Sequence, residues 1–376
     1  MSGSRTGAVK AEVVLLPTHK KLATHELVVH QALGRKIARL LGGTFSGLYD
    51  PAVHAARSHE LYFVPSDTLI GHDQHRDLKI GSADDLFGGL IAEPFMATKA
   101  ISHPLLENAT ARPAGWSEAF HRQTTDAVLG GFSVFNHADA LEAGKRLLAN
   151  GPIRIKPVLA TAGRGQIEVT SEAELAEAIK AQDVGEVSEW GLVLEENLQD
   201  VVTYSVGQVS IAGIVASYHG TQCLTKDNQG ESVYGGSSLR VVRGGFDALL
   251  ALDLDEAVRH SIKQAMAYDE AACSCFPGFI ASRRNYDIAL GVDAQGQSRS
   301  GVLEQSWRIG GASPAEIEAL LAFADSPALQ RIDASTHEVY GEAALPRGAE
   351  VLFEGDDPQV GFITKYTQVE PYERSQ

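Results

Sequence analysis

Apolar residues fall at two spacings along this chain, and the alternation between the two lays out its elements. The run EVVLL at 12–16 is a short continuous apolar strand that stops at Pro17. In HELVVHQALGRKIARLLGG, the residues Leu27, Leu33, Ile37, Leu40 and Leu41 recur at helical spacing, and Gly42-Gly43 supplies a stop. ELYFVPSD predicts another strand, and SADDLFGGLI a short helix followed by a strand. Strand–helix–strand order implies a small parallel sheet over the first 95 residues. No GxGxxG follows the first strand, so this unit carries no dinucleotide fingerprint.

A passage with EPFMATKAISHPLL and ARPAGW breaks the pattern and places a domain boundary near residue 95. Residues 100–150 read as mostly helical, HADALEAGKRLLANG included. GPIRIKPVLATAGRGQIEVTSEAELAEAIKAQ reads as strand, glycine loop, strand and helix, with Ser171 and Glu174 at capping-box spacing. WGLVLEENL is a further strand, and TYSVGQVSIAGIVASYHGTQ an antiparallel pair. DLDEAVRHSIKQAMAYDEAA is helical. YDIALGVDAQGQSRSGVLEQSWR is a hairpin that turns near Asp293–Gly296. Residues 331–376, with AEVLFEG and VGFITKYTQVEPY, predict a β-rich tail.

Composition narrows the classes. A chain of 376 residues, 44% of them hydrophobic, has room for two or three packed units. Its net charge of −16 argues against a general nucleic-acid binder, yet one basic cleft could still take an anion. Cys223, Cys273 and Cys275 are too sparse for a disulfide framework and suit a reducing compartment. Cys273 and Cys275 are too few for a zinc site and read as half-buried thiols. No apolar run is long enough to cross a bilayer, so a soluble cytoplasmic protein is expected, without membrane or nucleic-acid partners. His19, His25 and His30 lack a repeated metal spacing.

Three stretches carry candidate chemistry, each with a plainer alternative. Lys156 ends the strand IRI and precedes a loop containing Gly163, Arg164 and Gly165; cations beside glycine amides can hold phosphate oxygens. The same residues also suit a solvated hairpin turn. Glu195 and Glu196 end the strand LVL, where a carboxylate can take the exocyclic amine of adenine or simply face water. Asp287 and EQSWR lie on the two arms of the predicted hairpin. Alternation would then turn Glu304, Ser306 and Arg308 to one face. Two converging carboxylates need an offsetting cation, and Mg²⁺ is held by such a pair plus substrate phosphates. Arg308 would meet a carboxylate or phosphoryl oxygen. The alternative is a polar-faced edge strand. SYHGTQCLTKDNQGESVYGGSSLR could cover a cleft with Lys226, Tyr234 or Arg240, or form a surface hairpin.

In order, IRIKP, LVLEEN and LEQSWRIGG resemble the motifs of the ATP-grasp superfamily. The last is similar to the E-x-N-x-R-x-G-G of carboxylate–amine ligases and to the E-x-N-x-R of biotin carboxylases. The resemblance runs over roughly 95–325 and is strongest to a bacterial branch to which it attaches no substrate. It implies an α/β architecture: an N-terminal parallel domain (1–95), a small lobe with the glycine loop (96–190), a large lobe with the metal site (191–330), and a β-rich extension (331–376). It implies ATP between the lobes, held by Lys99 and Lys156 with the loop closing over it, and adenine at Glu195 beside the backbone of Glu196–Leu198. Asp287, Glu304 and Ser306 would hold Mg²⁺, and Arg308 and Arg284 would serve the reaction. The implied activity is an ATP- and Mg²⁺-dependent ligase that makes an acyl phosphate for attack by an amine or similar nucleophile, often as a homodimer. A small-molecule kinase or a nucleotide binder without turnover are the alternatives on the same fold. The chain departs from the pattern in three places: Ser306 stands for Asn, the ribose acid falls on Val202 with Asp200 nearby, and Asn285 stands where an arginine is common.

Overall fold

The computed structural model describes residues 10–18, 22–159 and 165–372. Strands β1 (Glu12–Leu16), β2 (Thr44–Leu48) and β3 (Leu61–Pro65) form a parallel sheet of order β2-β1-β3. Helix α1 (Thr24–Leu40) connects the first two and buries Val29, Leu33 and Ile37. It ends at Gly42, whose φ of +66° is the left-handed conformation glycine adopts without steric cost. One turn of helix, α2 (Pro51–His54), is capped by Asp50. Short strands β4 (Leu69–Ile70) and β5 (Gly89–Ile91) pair in parallel and lead to α3 (Glu118–Thr124).

A four-stranded sheet of order β6-β9-β7-β8 follows, from β6 (Gly131–Val134), β7 (Ile153–Pro157), β8 (Ile167–Val169) and β9 (Leu192–Glu196). Helices α4 (His137–Leu148) and α5 (Glu172–Lys180) lay Ala140, Ala143, Leu175 and Ile179 against Ile153, Ile155 and Leu194, and α6 (Val184–Trp190) adds Val187. At α5 the Glu174 amide donates to Ser171 Oγ at 3.3 Å, but the Glu174 carboxylate accepts from Thr170, one residue before the expected partner. The remaining large sheet is antiparallel at every junction. Its strands are β10 (Gln199–Ile211), β11 (Ile214–Lys226), β12 (Ser232–Arg243), β14 (Arg283–Val292), β15 (Ser298–Ser306), β16 (Arg331–Tyr340), β17 (Glu350–Asp357) and β18 (Gly361–Pro371). Their order is β15-β14-β10-β11-β12-β16-β18-β17. Strand β13 (Ile280–Ala281) instead joins β5 and ties the N-terminal region to the large sheet.

Strand alternation gives the large sheet two different covers. Val242 points to the side of α7 (Phe246–Leu250) and α8 (Glu256–Cys275), with Tyr286, Ile288 and Val302. Val241 points to the side of α9 (Ser313–Asp325), which is sandwiched between this sheet and α1 through Ile317, Leu320 and Phe323.

Three sequence expectations are corrected. The stretch 100–150 contains strand β6, too short to show a period of its own. Strand β9 pairs with β6 and β7, so the change of sheet falls after Glu196 and not at 190/191. Residues from 331 are not a separate tail: β16 pairs with β12 through seven register positions and carries β18 and β17 as a continuation of the large sheet.

Candidate functional site

β14 and β15 are hydrogen-bonded with Asp287 opposite Glu304 and Asn285 opposite Ser306. A bulge follows, Ile288 pairing with Val302, so the neighbours Leu303 and Glu304 both line the same cavity. That cavity, of about 530 Å³, lies between the four-stranded and large sheets, and Glu304, Ser306 and Arg308 all open into it. The intervening side chains turn the other way and fix the frame. Gln305 donates to the carbonyls of Met96 (2.7 Å) and Thr98 (3.0 Å), and Trp307 Nε1 donates to Tyr286 Oη (3.3 Å). Gln305 thereby anchors the segment that carries buried Lys99, whose Nζ lies 3.4 Å from Glu304. Gly311 is required for close approach: a Cβ there would sit 2.5 Å from the ring of Tyr234, another wall residue.

The opposite wall comes from β7 and β9. Lys156 ion-pairs with Glu195, and His103 Nε2 lies 3.1 Å from the other Glu195 oxygen. All three side chains are buried. Burial alone would raise the Glu195 carboxyl; Lys156 and then His103 overcome it and hold the group down at about 2. Glu195 is thus committed to two protein partners. Glu196 is likewise engaged, accepting from the Gly130 amide (2.7 Å) and from Arg299 Nη2 (2.9 Å). Leu198 lines the cavity with Leu129, Ala289 and Leu303, an apolar slot beside Glu195.

Asp287 accepts from Gln222 Nε2 at 3.0 Å. Burial, and next the Glu304 charge, push its carboxyl up to about 6, against a smaller pull from Gln222 and Arg283. A raised carboxyl stabilises the fold fully below the usual Asp range, and that contribution is lost as pH rises through about 6. Asp287→Asn is therefore expected to raise the melting temperature at about pH 8 and to change it little at about pH 3, below the usual Asp range. Thermal melts at both pH values check this; an unchanged melt at the higher pH would show that the pair carries no strain. Among the described residues no group of three or more His, Cys, Asp and Glu converges. The pair offers a hard cation two carboxylates, which fits Mg²⁺ and leaves the rest of its shell to water and phosphate.

The floor of the cavity is a buried network. Arg283 Nε donates to both Glu316 oxygens (3.1 and 3.0 Å) and Nη2 to one of them (2.8 Å). Tyr218 donates to Glu316 at 2.5 Å, and Asn285 Nδ2 donates to Ser205 Oγ (2.6 Å) and Tyr218 Oη (3.2 Å). Arg284 is a correction. It is one residue out of phase, so it points toward α8, where its Nε lies 3.4 Å from Asp269, and it does not line the cavity. Of the two neighbours, Arg283 is the one on the cavity face.

Other expectations separate cleanly. Gly163 and Arg164 lie outside the described residues, as does His19. Gly165 has φ +68° and is not part of the wall, although Gln166 is. Asp200 and Val202 point elsewhere, while Val201 and Thr203 line the cavity. From the β11–β12 hairpin only Tyr234 among the three proposed contacts reaches the cavity; Lys226 donates to Ser232 near the turn and Arg240 pairs with Asp333. Cys273 is exposed and Cys275 half-buried. Ser313 Oγ accepts from the Gly310 amide, and Glu316, in the first turn of α9, turns inward to Arg283. Residue patterns missed His103 and Glu316. Glu316 had left a signal: it stands in helical phase with the buried Leu320 and Phe323.

The profile of a family described as "Protein of unknown function (DUF3182)" matches residues 13–367. The chain belongs to that family. No curated protein matches the sequence. Among solved structures the chain is similar to a biotin carboxylase–β,γ-ATP complex from Campylobacter jejuni, with TM-score 0.50 and 12% identity over 98% of this chain and 89% of that one. It is also similar to a phosphoribosylamine–glycine ligase from Thermotoga maritima, with TM-score 0.47 and 14% identity over 97% and 93%. At 12% identity the likeness is one of fold: the chain shares the architecture of that biotin carboxylase. No helix among the described residues is long and apolar enough to cross a membrane.

Proposed function

We propose that the chain is an ATP-dependent ligase that activates a small carboxylic acid as its acyl phosphate for attack by an amine or similar nucleophile. One observation carries this reading: Asp287 and Glu304 face each other across a strand pair inside a cavity whose other walls supply Lys99 and Lys156. One cleft thus holds both a carboxylate pair and two lysines, the mix of charges that a metal-bound polyphosphate needs. The apolar slot of Leu129, Leu198, Ala289 and Leu303 suits a flat base. Because Glu195 is held by Lys156 and His103, adenine is read by backbone near Glu196–Leu198 and not by the Glu195 carboxylate. Lys99 and Lys156 bind phosphate oxygens, and Asp287 with Glu304 would hold Mg²⁺, which supplies charge neutralisation when bound. Arg308, two residues beyond β15, orients the acid. Positioning and electrostatic complementarity, not covalent participation of the protein, provide most of the rate. The likeness to the biotin carboxylase complex supports the fold-level part of this reading.

The test is ATP-dependent phosphate release from the full chain with Mg²⁺ against a panel of acids, with and without amines. Release that requires both an acid and an amine, with the amide formed, is the expected result. A phosphorylated alcohol as the stable product would instead identify a kinase.

A further inference from the structure

Ser306 stands where the resembled motif has Asn, and Asn285 where that pattern has an arginine. The structure ties the two departures together. Arg283 lies one alternation further back on the same face of β14, opposite the edge where β15 ends. Its Nε and Nη2 are consumed by Glu316, and neither side chain is open to solvent. The remaining nitrogen, Nη1, donates to the Ser306 carbonyl (3.1 Å) and to Ser306 Oγ (3.0 Å). The serine oxygen therefore already rests on a guanidinium that Glu316 prevents from moving.

A hydroxyl in that position is a poor magnesium ligand. Mg²⁺ on the same oxygen would sit beside the Arg283 charge, and the two cations would repel across a poorly screened site. An anionic oxygen gains from both groups: the serine keeps its hydrogen for donation, and the guanidinium behind it polarises that donor. We propose that Ser306, braced by Arg283, is an oxyanion seat for the terminal phosphoryl group of the nucleotide. The metal is then held by Asp287 and Glu304 without the serine. This inference rests on the ligase reading above. Arg283 acts here as a positioning residue, since its nitrogens are engaged by Glu316 and by Ser306, whose side chain lies one alternation from the Asp287–Glu304 pair.

The test uses the full chain and two binding readouts independent of turnover: Mn²⁺ affinity by electron paramagnetic resonance, and ATP and ADP affinity by calorimetry. Ser306→Ala is expected to leave Mn²⁺ affinity within about 2-fold and ADP affinity unchanged, while ATP affinity falls roughly 10-fold, as loss of a hydrogen bond to a charged group implies. Ser306→Thr, which keeps the hydroxyl, should retain ATP binding. A 10-fold or greater loss of Mn²⁺ affinity in Ser306→Ala, on the order expected for a lost ligand, overturns the seat and restores the serine to the metal. Equal loss for ATP and ADP, or no loss for either, also overturns it. Wild-type protein that binds neither Mn²⁺ nor ATP overturns the ligase reading itself, and the seat with it.

Discussion

Glu304→Gln is expected to lower ATP-dependent phosphate release by on the order of 100-fold or more and to raise the Mg²⁺ concentration needed for half-maximal rate. On the proposed reading the substitution removes one of two charged metal ligands, and even residues one layer behind a metal typically cost 10–100-fold. The amide keeps the shape of the side chain, so the fold should survive. Gln305 and Trp307 hold β15 in place through contacts on the opposite face, and these are untouched. Titrating Mg²⁺ against initial rate separates the effects. A lower maximal rate with an unchanged Mg²⁺ requirement would remove Glu304 from the metal site and leave it only as the partner of Lys99.

Glu316→Ala is expected to cost about 3–5 kcal/mol of stability, because it strands the Arg283 guanidinium in the interior without its counter-charge. Arg283 and Glu316 are 2% and 0% exposed at the side chain, so neither can turn to water without opening the packing between α9 and the large sheet. Tyr218 would also lose its acceptor. The double variant Arg283→Met/Glu316→Leu separates charge from packing: replacing both members of a buried pair by apolar groups is often neutral or stabilising. Urea unfolding of the wild type, single and double variants checks this. A single variant as stable as the wild type would mean that the pair is solvated in solution.

Much of the site was legible in the sequence because it sits on local structure. The β14–β15 hairpin announces itself through DAQG: Asp293 accepts from the amides of Gln295 and Gln297, and Gly296 takes φ +77°. Once that turn is placed, regular pairing from Val292–Ser298 would set Asp287 opposite Leu303, and the bulge between Val302 and Glu304 shifts the register by one to bring it opposite Glu304. The β7–β8–α5 run was visible for the same reason, being a short hairpin followed by a Ser-headed helix. What stayed hidden depends on distance along the chain. His103 meets Glu195 across 92 residues, and nothing near either position signals the contact. Strand β16 joins β12 with no intervening turn to give its register. The choice between Arg283 and Arg284 rests on strand phase, which a run of two arginines does not settle by itself. Glu316 stands in the first turn of α9, where an acid commonly faces water beside the helix amides, yet its phase with Leu320 and Phe323 places it inside.

The most direct test of the central claim, that this cavity binds ATP with Mg²⁺, is the melting temperature of the full chain with ATP, with Mg²⁺ and with both. The account predicts the largest upward shift with both together, a loss of the magnesium-dependent part in Asp287→Asn, and a smaller nucleotide shift in Lys156→Ala, read against each variant's own ligand-free melt. A melting temperature that neither nucleotide nor Mg²⁺ moves, at concentrations that saturate ordinary ATP sites, would contradict it.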